Sequence, residues 1–244
     1  MTVFLTSHIG GSVKKDGRRV PAPLLTANRL VDALKARWPD HARVLFIPAD
    51  PDDVEKTASY RSAFLYAFPF HGMTVGTYTV FDRQNGDAVD ALSGYDVIIL
   101  SGGHVPTQNS FFRRIGLAGK IAGYEGLVIG ISAGTMNCAG TVYAHPELEG
   151  EAVDPGYRRF LPGLGLTKRM VLPHYQTIKD DVLDGLRVFE DIACPDSHGR
   201  EFYALPDGSY ILSENGTETL YGEAYRIKDG EITLICNNNE SLVL

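Results

Sequence analysis

Ser132 sits in Gly130-Ile131-Ser132-Ala133-Gly134, directly after the apolar run 126–129 and before Thr135-Met136-Asn137-Cys138-Ala139. A buried strand that must turn sharply into a helix needs small flanking residues, and the serine between them is left with an exposed hydroxyl in a strained backbone conformation. This is the setting of a nucleophile elbow. The serine would start a helix, where the N–H of Ala133 and the helix dipole favour a developing oxyanion. A hydroxyl is a weak nucleophile unless a base takes its proton, and His174 is the best placed histidine, because it ends the apolar run 171–173. His8, His71 and His104 also lie near predicted strand ends, whereas His41, His145 and His198 fall in polar segments.

A third group must orient the imidazole, and by position the acidic candidates are Asp207, Asp154, Glu147, Glu149 and Glu151. Their types and spacing do not choose among them. A second oxyanion donor is expected from a glycine at another strand end, which Leu100-Ser101-Gly102-Gly103-His104 supplies through the Gly103 N–H. Gly10-Gly11 lacks both a GxGxxG pattern and a Walker lysine, which argues against a nucleotide site.

The elements that must position these groups read as an α/β fold. Apolar runs at 3–5, 44–47, 77–81, 97–100 and 127–131 alternate with helix-like segments at 23–38, 53–68 and 107–122. Strands that are apolar throughout imply a parallel sheet covered on both faces, hence a doubly wound three-layer arrangement with its site at the carboxyl ends of the strands. Beyond the elbow, 178–192 reads as an amphipathic helix. Asp207-Gly208, Asn215-Gly216 and Asp229-Gly230 are hairpin signals, so the last 45 or so residues are expected to add antiparallel strands at the sheet edge.

With 244 residues and no linker or repeat, a single domain over 1–244 is expected. A net charge of −7 without a long basic run argues against nucleic acid as a partner. No segment approaches the ~20 apolar residues of a membrane helix, and the start of the chain lacks a leader pattern, so a cytoplasmic protein is expected. Cys138, Cys194 and Cys236, without CxxC spacing, suggest buried small side chains rather than disulfides or a zinc site. An exposed antiparallel edge would allow a homodimer.

Ser-Gly-Gly at 101–103, the elbow at 130–134, Leu-Pro-His-Tyr at 172–175 and Ala-Leu-Pro-Asp-Gly at 204–208 come in one order along the chain. In that order and spacing the sequence resembles the dipeptidase E and cyanophycinase group of serine peptidases, which includes aspartyl dipeptidase and whose fold is similar to class I glutamine amidotransferases. The resemblance implies hydrolysis of short peptides through an acyl-enzyme, with no metal or organic cofactor. It implies Ser132 as nucleophile, His174 as general base, Asp207 as orienting carboxylate and Gly103 with Ala133 as oxyanion hole. The family usually has glutamate where this chain has Asp207, and a carboxylate between serine and histidine has also been a candidate in such enzymes, which makes Asp154 the reserve. A preference for N-terminal aspartate would call for a cationic pocket, for which Arg158, Arg159, Lys168 and Arg169 are available. The order Ser, His, acid differs from that of α/β-hydrolases. The competing readings are an amidase or glutamine-amidotransferase-like protein acting on a non-peptide substrate, and a ligand-binding protein that keeps the fold without catalysis. Reaction with cysteine at the elbow, as in class I amidotransferases, is not available, since Cys138 lies six residues beyond Ser132.

Overall fold

The computed structural model of the chain describes residues 1–16, 18–81 and 86–244. Its main sheet has eight strands in the spatial order Ser241–Val243, Thr217–Tyr221, Tyr210–Glu214, Thr2–Thr6, Leu127–Ile131, Val97–Leu100, Ala42–Ile47 and Val75–Val80. Thr2–Thr6 and the four strands after it in that order run parallel, whereas the three C-terminal strands are antiparallel. The parallel strands are the apolar runs of the sequence. Alternation along them feeds two cores: Val44, Phe46, Ile99 and Ile129 pack with Leu30, Leu34, Phe64 and Phe68. Leu45, Ile47, Ile98 and Val128 pack on the other face with Phe111, Phe112, Leu117 and Ile121. A central α/β sheet, mostly parallel and covered by helices on both faces, follows from that division.

The helix Val54–Phe70 is capped by Asp53, whose carboxylate accepts the Lys56 N–H at 3.0 Å. The expected helix over 107–122 is two, Val105–Arg114 and Leu117–Ile121, parted by Gly116 at φ +64°. The segment 23–38 also divides: Arg18–Leu24 is a strand paired with Gly10–Lys15, and the α-helix covers only Leu30–Lys35. Gly10-Gly11 therefore opens a hairpin, with Gly11 seated against the Phe64 ring.

A second, four-stranded sheet holds Met170–Pro173, Glu201–Leu205, Ala224–Lys228 and Glu231–Cys236. It packs through Leu172, Phe202 and Ala204 onto Met136 of the helix after the elbow and onto Tyr143, whose ring stacks on Phe202 at 4.1 Å. Two readings of the C-terminal third need correction. The segment 178–192 is not an amphipathic helix: Asp184-Gly185, both at positive φ, turn it into the ribbon Val182–Leu183 with Leu186–Arg187. Of the three expected hairpin turns, Asn215-Gly216 and Asp229-Gly230 close hairpins. Asp207-Gly208 instead carries the chain from the second sheet to the main one, since Glu201–Leu205 and Tyr210–Glu214 belong to different sheets. Of the six strands from Glu201 onward, the antiparallel edge accordingly receives three, and the other three join the second sheet.

Candidate active site

Ser132 follows Leu127–Ile131 at φ 52° and ψ −115°, a backbone conformation rarely adopted by a residue with a side chain, and the helix Ala133–Asn137 starts at once. Both flanking glycines are sterically required. A Cβ on Gly130 would lie 2.9 Å from the Thr135 backbone, and one on Gly134 would lie 2.2 Å from the Leu100 carbonyl oxygen. The turn is tied to the neighbouring strand by the Ser132 N–H and the Thr135 hydroxyl, which both donate to the Thr6 carbonyl at 3.1 and 2.8 Å.

His174 and Asp207 arrive together because Met170–Pro173 and Glu201–Leu205 are parallel neighbours, with Pro173 opposite Leu205. Each strand then releases its polar residue past its carboxyl end. His174 takes the left-handed conformation at φ 60°, which turns its ring back toward the elbow. Its Nε2 stands 2.9 Å from Ser132 Oγ and its Nδ1 stands 2.8 Å from Asp207 Oδ1. Asp207 therefore reaches the imidazole despite being one carbon shorter than glutamate. Burial tends to raise its pKa, but the His174 and Ser7 hydrogen bonds and the histidine charge prevail and hold it below the ordinary aspartate value.

Ser7, unrecognised from the sequence, completes the contact. Its hydroxyl donates to Asp207 Oδ1 at 2.8 Å and accepts the His174 N–H at 2.7 Å. The one available signal was its place just beyond the first parallel strand, Thr2–Thr6. His8, next in the chain, has its ring centroid 6.2 Å from that of His174 and a pKa lowered by burial, against the pull of Asp207.

Gly103 lies on the loop after Val97–Leu100, pressed so close to Ala49 that a Cβ would come within 2.3 Å of the alanine Cβ. Gly102 faces Ser132, its ideal Cβ position 3.3 Å from the serine Cβ. Among the described residues neither glycine donates its N–H to a protein acceptor. Ala133 begins the elbow helix, where N–H groups have no helical acceptor. A buried amide network joins the two segments. Gln108 donates to the Ser101 carbonyl at 2.8 Å, and the Asn137 amide donates to Gln108 Oε1 at 3.0 Å and the Ala133 carbonyl at 3.1 Å.

The other candidates stand elsewhere. Asp154 is exposed, and its carboxylate accepts the Gly156 N–H in its own turn at 2.8 Å. Glu151 accepts from the backbone of Glu147 and Leu148, and its other oxygen lies 2.9 Å from His104 Nε2. His104 Nδ1 is 2.9 Å from Thr107 Oγ1, so neither nitrogen of that ring is directed at the serine. Glu149 is exposed. Arg159 is paired with Asp196 and Arg169 with Glu218, both at 2.8 Å. Cys138 is fully buried, and burial pushes its thiol up to about 12, which removes it as a nucleophile.

A cleft of about 490 Å³ opens beside Ser132 and His174, walled by Pro146, Ile178, Leu183 and Val188 and by the polar side chains of His145, Glu147 and Asp181. His145, placed in a polar loop by sequence reasoning, is 6% exposed, and burial lowers its pKa to about 4.

An activated serine, a histidine in contact with it and a carboxylate behind the histidine can carry out acyl transfer. The comparisons with known proteins agree with a peptidase. The chain belongs to peptidase family S51, the dipeptidase E family, whose model matches residues 24–221. Its fold is similar to the crystal structure of a protein from Listeria monocytogenes EGD-e provisionally named peptidase E, at a TM-score of 0.54 and 16% identity over 89% of this chain and 96% of that one. No curated protein matches the sequence. Among the described residues, no helix is long and apolar enough to cross a membrane.

Proposed function

We propose that the chain is a serine peptidase of the dipeptidase E type that hydrolyses short peptides, with Ser132 as nucleophile, His174 as general base and Asp207 as the orienting carboxylate. The observation that carries this reading is the unbroken path from Asp207 Oδ1 to His174 Nδ1 at 2.8 Å and from His174 Nε2 to Ser132 Oγ at 2.9 Å. Ser132 Oγ attacks the scissile carbonyl while His174 takes its proton, and the resulting imidazolium is stabilised by Asp207. The N–H groups of Ala133 and Gly103 receive the oxyanion. His174 returns the proton to the leaving amine, and water activated by the same histidine then releases the acyl group from Ser132. Neither acylation nor deacylation in this scheme calls for a metal or an organic cofactor.

The same reading includes a single domain over 1–244 with a class I glutamine amidotransferase-like layering, working in the cytoplasm. Support for the layering is the pair of cores on opposite faces of the main sheet. Cysteine-dependent glutaminase chemistry is disfavoured by the buried, high-pKa Cys138. The test is turnover of a dipeptide panel by Ser132→Ala, which should fall by several orders of magnitude, about 10⁶ for comparable nucleophile removals. Wild-type turnover by the folded variant would remove Ser132 from this role.

A further inference from the structure

Gly103 and one wall of the cleft beside Ser132 belong to segments far apart in the chain, 101–104 and 145–152. Among the described residues no backbone hydrogen bond joins the two segments. A single carboxylate does so instead. Glu151 Oε1 lies 2.9 Å from Nε2 of His104, the residue directly after Gly103. Its other oxygen, Oε2, accepts the N–H groups of Glu147 and Leu148 at 2.9 and 3.0 Å, and Glu147 with Pro146 lines the cleft.

The chemistry of the contact gives it a fixed geometry. A carboxylate offers lone pairs, so Nε2 donates to Glu151, while the Thr107 hydroxyl, able to donate or to accept, meets Nδ1 at 2.9 Å in either protonation state of the ring. The imidazole is therefore held at both nitrogens. Only 22% of its side chain and 16% of the Glu151 side chain is exposed, so the pair is shielded from the water that weakens surface ion pairs. His104 is also the residue from which the helix Val105–Arg114 departs, which places it between that helix and the Gly103 turn.

Resting on the serine peptidase reading above, we infer that Glu151 is a positioning residue for acyl transfer: through His104 it sets where the Gly103 N–H stands relative to the wall of the cleft. A substrate group seated against Pro146 and Glu147 is thereby held in register with the oxyanion donor, and binding in the cleft aligns the scissile carbonyl for attack. Asp184 provides the contrast. It accepts the N–H groups of Gly150 and Ala152 at 2.8 and 3.0 Å, so it secures the same loop from the ribbon Val182–Leu183 with Leu186–Arg187, but it makes no hydrogen bond to residues 101–104.

The experiment is a double-mutant cycle read in kcat and KM on one cleaved dipeptide, with folding checked by circular dichroism. Glu151→Gln keeps the shape of the side chain but turns one acceptor oxygen into a donor, and His104→Gln removes the ring from the other end of the link. Each should lower kcat by about tenfold to a hundredfold, with a smaller change in KM, as expected when a reacting group is misplaced by a fraction of an ångström to an ångström. The double variant should be no slower than the slower single variant, because each substitution removes the same link. Asp184→Asn should keep kcat near wild type. Falls in kcat that multiply in the double variant, effects confined to KM, or an equal loss of kcat in Asp184→Asn overturn the inference. If Glu151→Gln does not fold, His104→Gln and Asp184→Asn carry the test, since the first must lose kcat and the second must keep it. Fluorophosphonate labelling of the wild type separates the two levels: an unlabelled Ser132 defeats the serine peptidase reading and the positioning role with it, while a labelled Ser132 beside an additive cycle defeats the positioning role alone.

Discussion

Ser7 and Asp207, 200 residues apart in the chain, share a hydrogen bond of 2.8 Å from the serine hydroxyl to Oδ1, the same oxygen that faces His174 Nδ1. The Ser7 oxygen in turn accepts the backbone N–H of His174 at 2.7 Å. One small side chain therefore fixes both the carboxylate and the backbone from which the imidazole is hung. Ser7 is fully buried, so its removal leaves an N–H and a carboxylate lone pair without partners. Ser7→Ala should lower kcat by about tenfold or more with a smaller effect on KM, on the scale seen when an outer hydrogen-bond partner of a site residue is lost. Steady-state kinetics on one cleaved dipeptide check this, and an unchanged kcat would reduce Ser7 to a packing residue.

The orienting acid is tested by paired substitutions. Asp207→Asn keeps the shape of the side chain but favours the wrong histidine tautomer, and turnover should fall by about 10³ to 10⁴. Asp154 is exposed and bonded within its own turn, so Asp154→Asn should stay near wild type. A silent Asp207→Asn beside an inactive Asp154→Asn would transfer the role to Asp154. Asp207→Glu, which restores the family's residue, should retain much of the activity.

Acid sensitivity follows from His145. The folded protein holds its imidazole neutral to about pH 4, whereas the unfolded chain takes up the proton near pH 6.5. The unfolded state binds more protons across that window, so this contribution is complete above pH 6.5 and is lost as pH falls toward 4. The two pKa values imply roughly 3 kcal/mol, an order-of-magnitude figure. Half-buried His8, whose pKa is also lowered by desolvation, adds in the same direction. Urea unfolding at pH 4.5 and 7.5 should show a smaller difference in His145→Gln than in the wild type. Equal pH slopes would contradict the assignment.

The amide network of Gln108 and Asn137 should matter for rate more than for binding. It links the loop of Gly103 to the first turn after Ser132, so it sets the distance between the two proposed oxyanion donors. Asn137→Ala should lower kcat by up to about the 10² to 10³ that follows loss of one such donor. KM should move less. A fall confined to KM would place the network in substrate binding.

Local chemistry made part of this site readable in the sequence. Gly130 and Gly134 announce the elbow because each faces backbone that a Cβ would strike, and the preceding apolar run announces the strand. His174 was readable as a strand-end residue, whereas Asp207 stood out from the other acidic candidates only through the family resemblance, and their meeting depends on the parallel register of Pro173 with Leu205, which no local pattern encodes. Ser7 was missed because its bond to His174 spans 167 residues, and the burial of His145 was missed because the segment around it looks polar in sequence. Asp-Gly pairs misled in both directions. Asp184-Gly185 breaks a segment whose apolar spacing suggested a helix, and Asp207-Gly208 joins two sheets where a hairpin was expected. Such a dipeptide specifies a left-handed turn and leaves open which strands the turn connects.

The central claim is that His174 makes Ser132 nucleophilic, and the most direct measurement is the rate at which a fluorophosphonate modifies the protein, with the adduct located by mass spectrometry. The account predicts a single adduct on Ser132, formed rapidly in the wild type, lost in Ser132→Ala, and slowed by orders of magnitude in His174→Ala. An adduct on another residue, or labelling of Ser132 at an undiminished rate in His174→Ala, would contradict it.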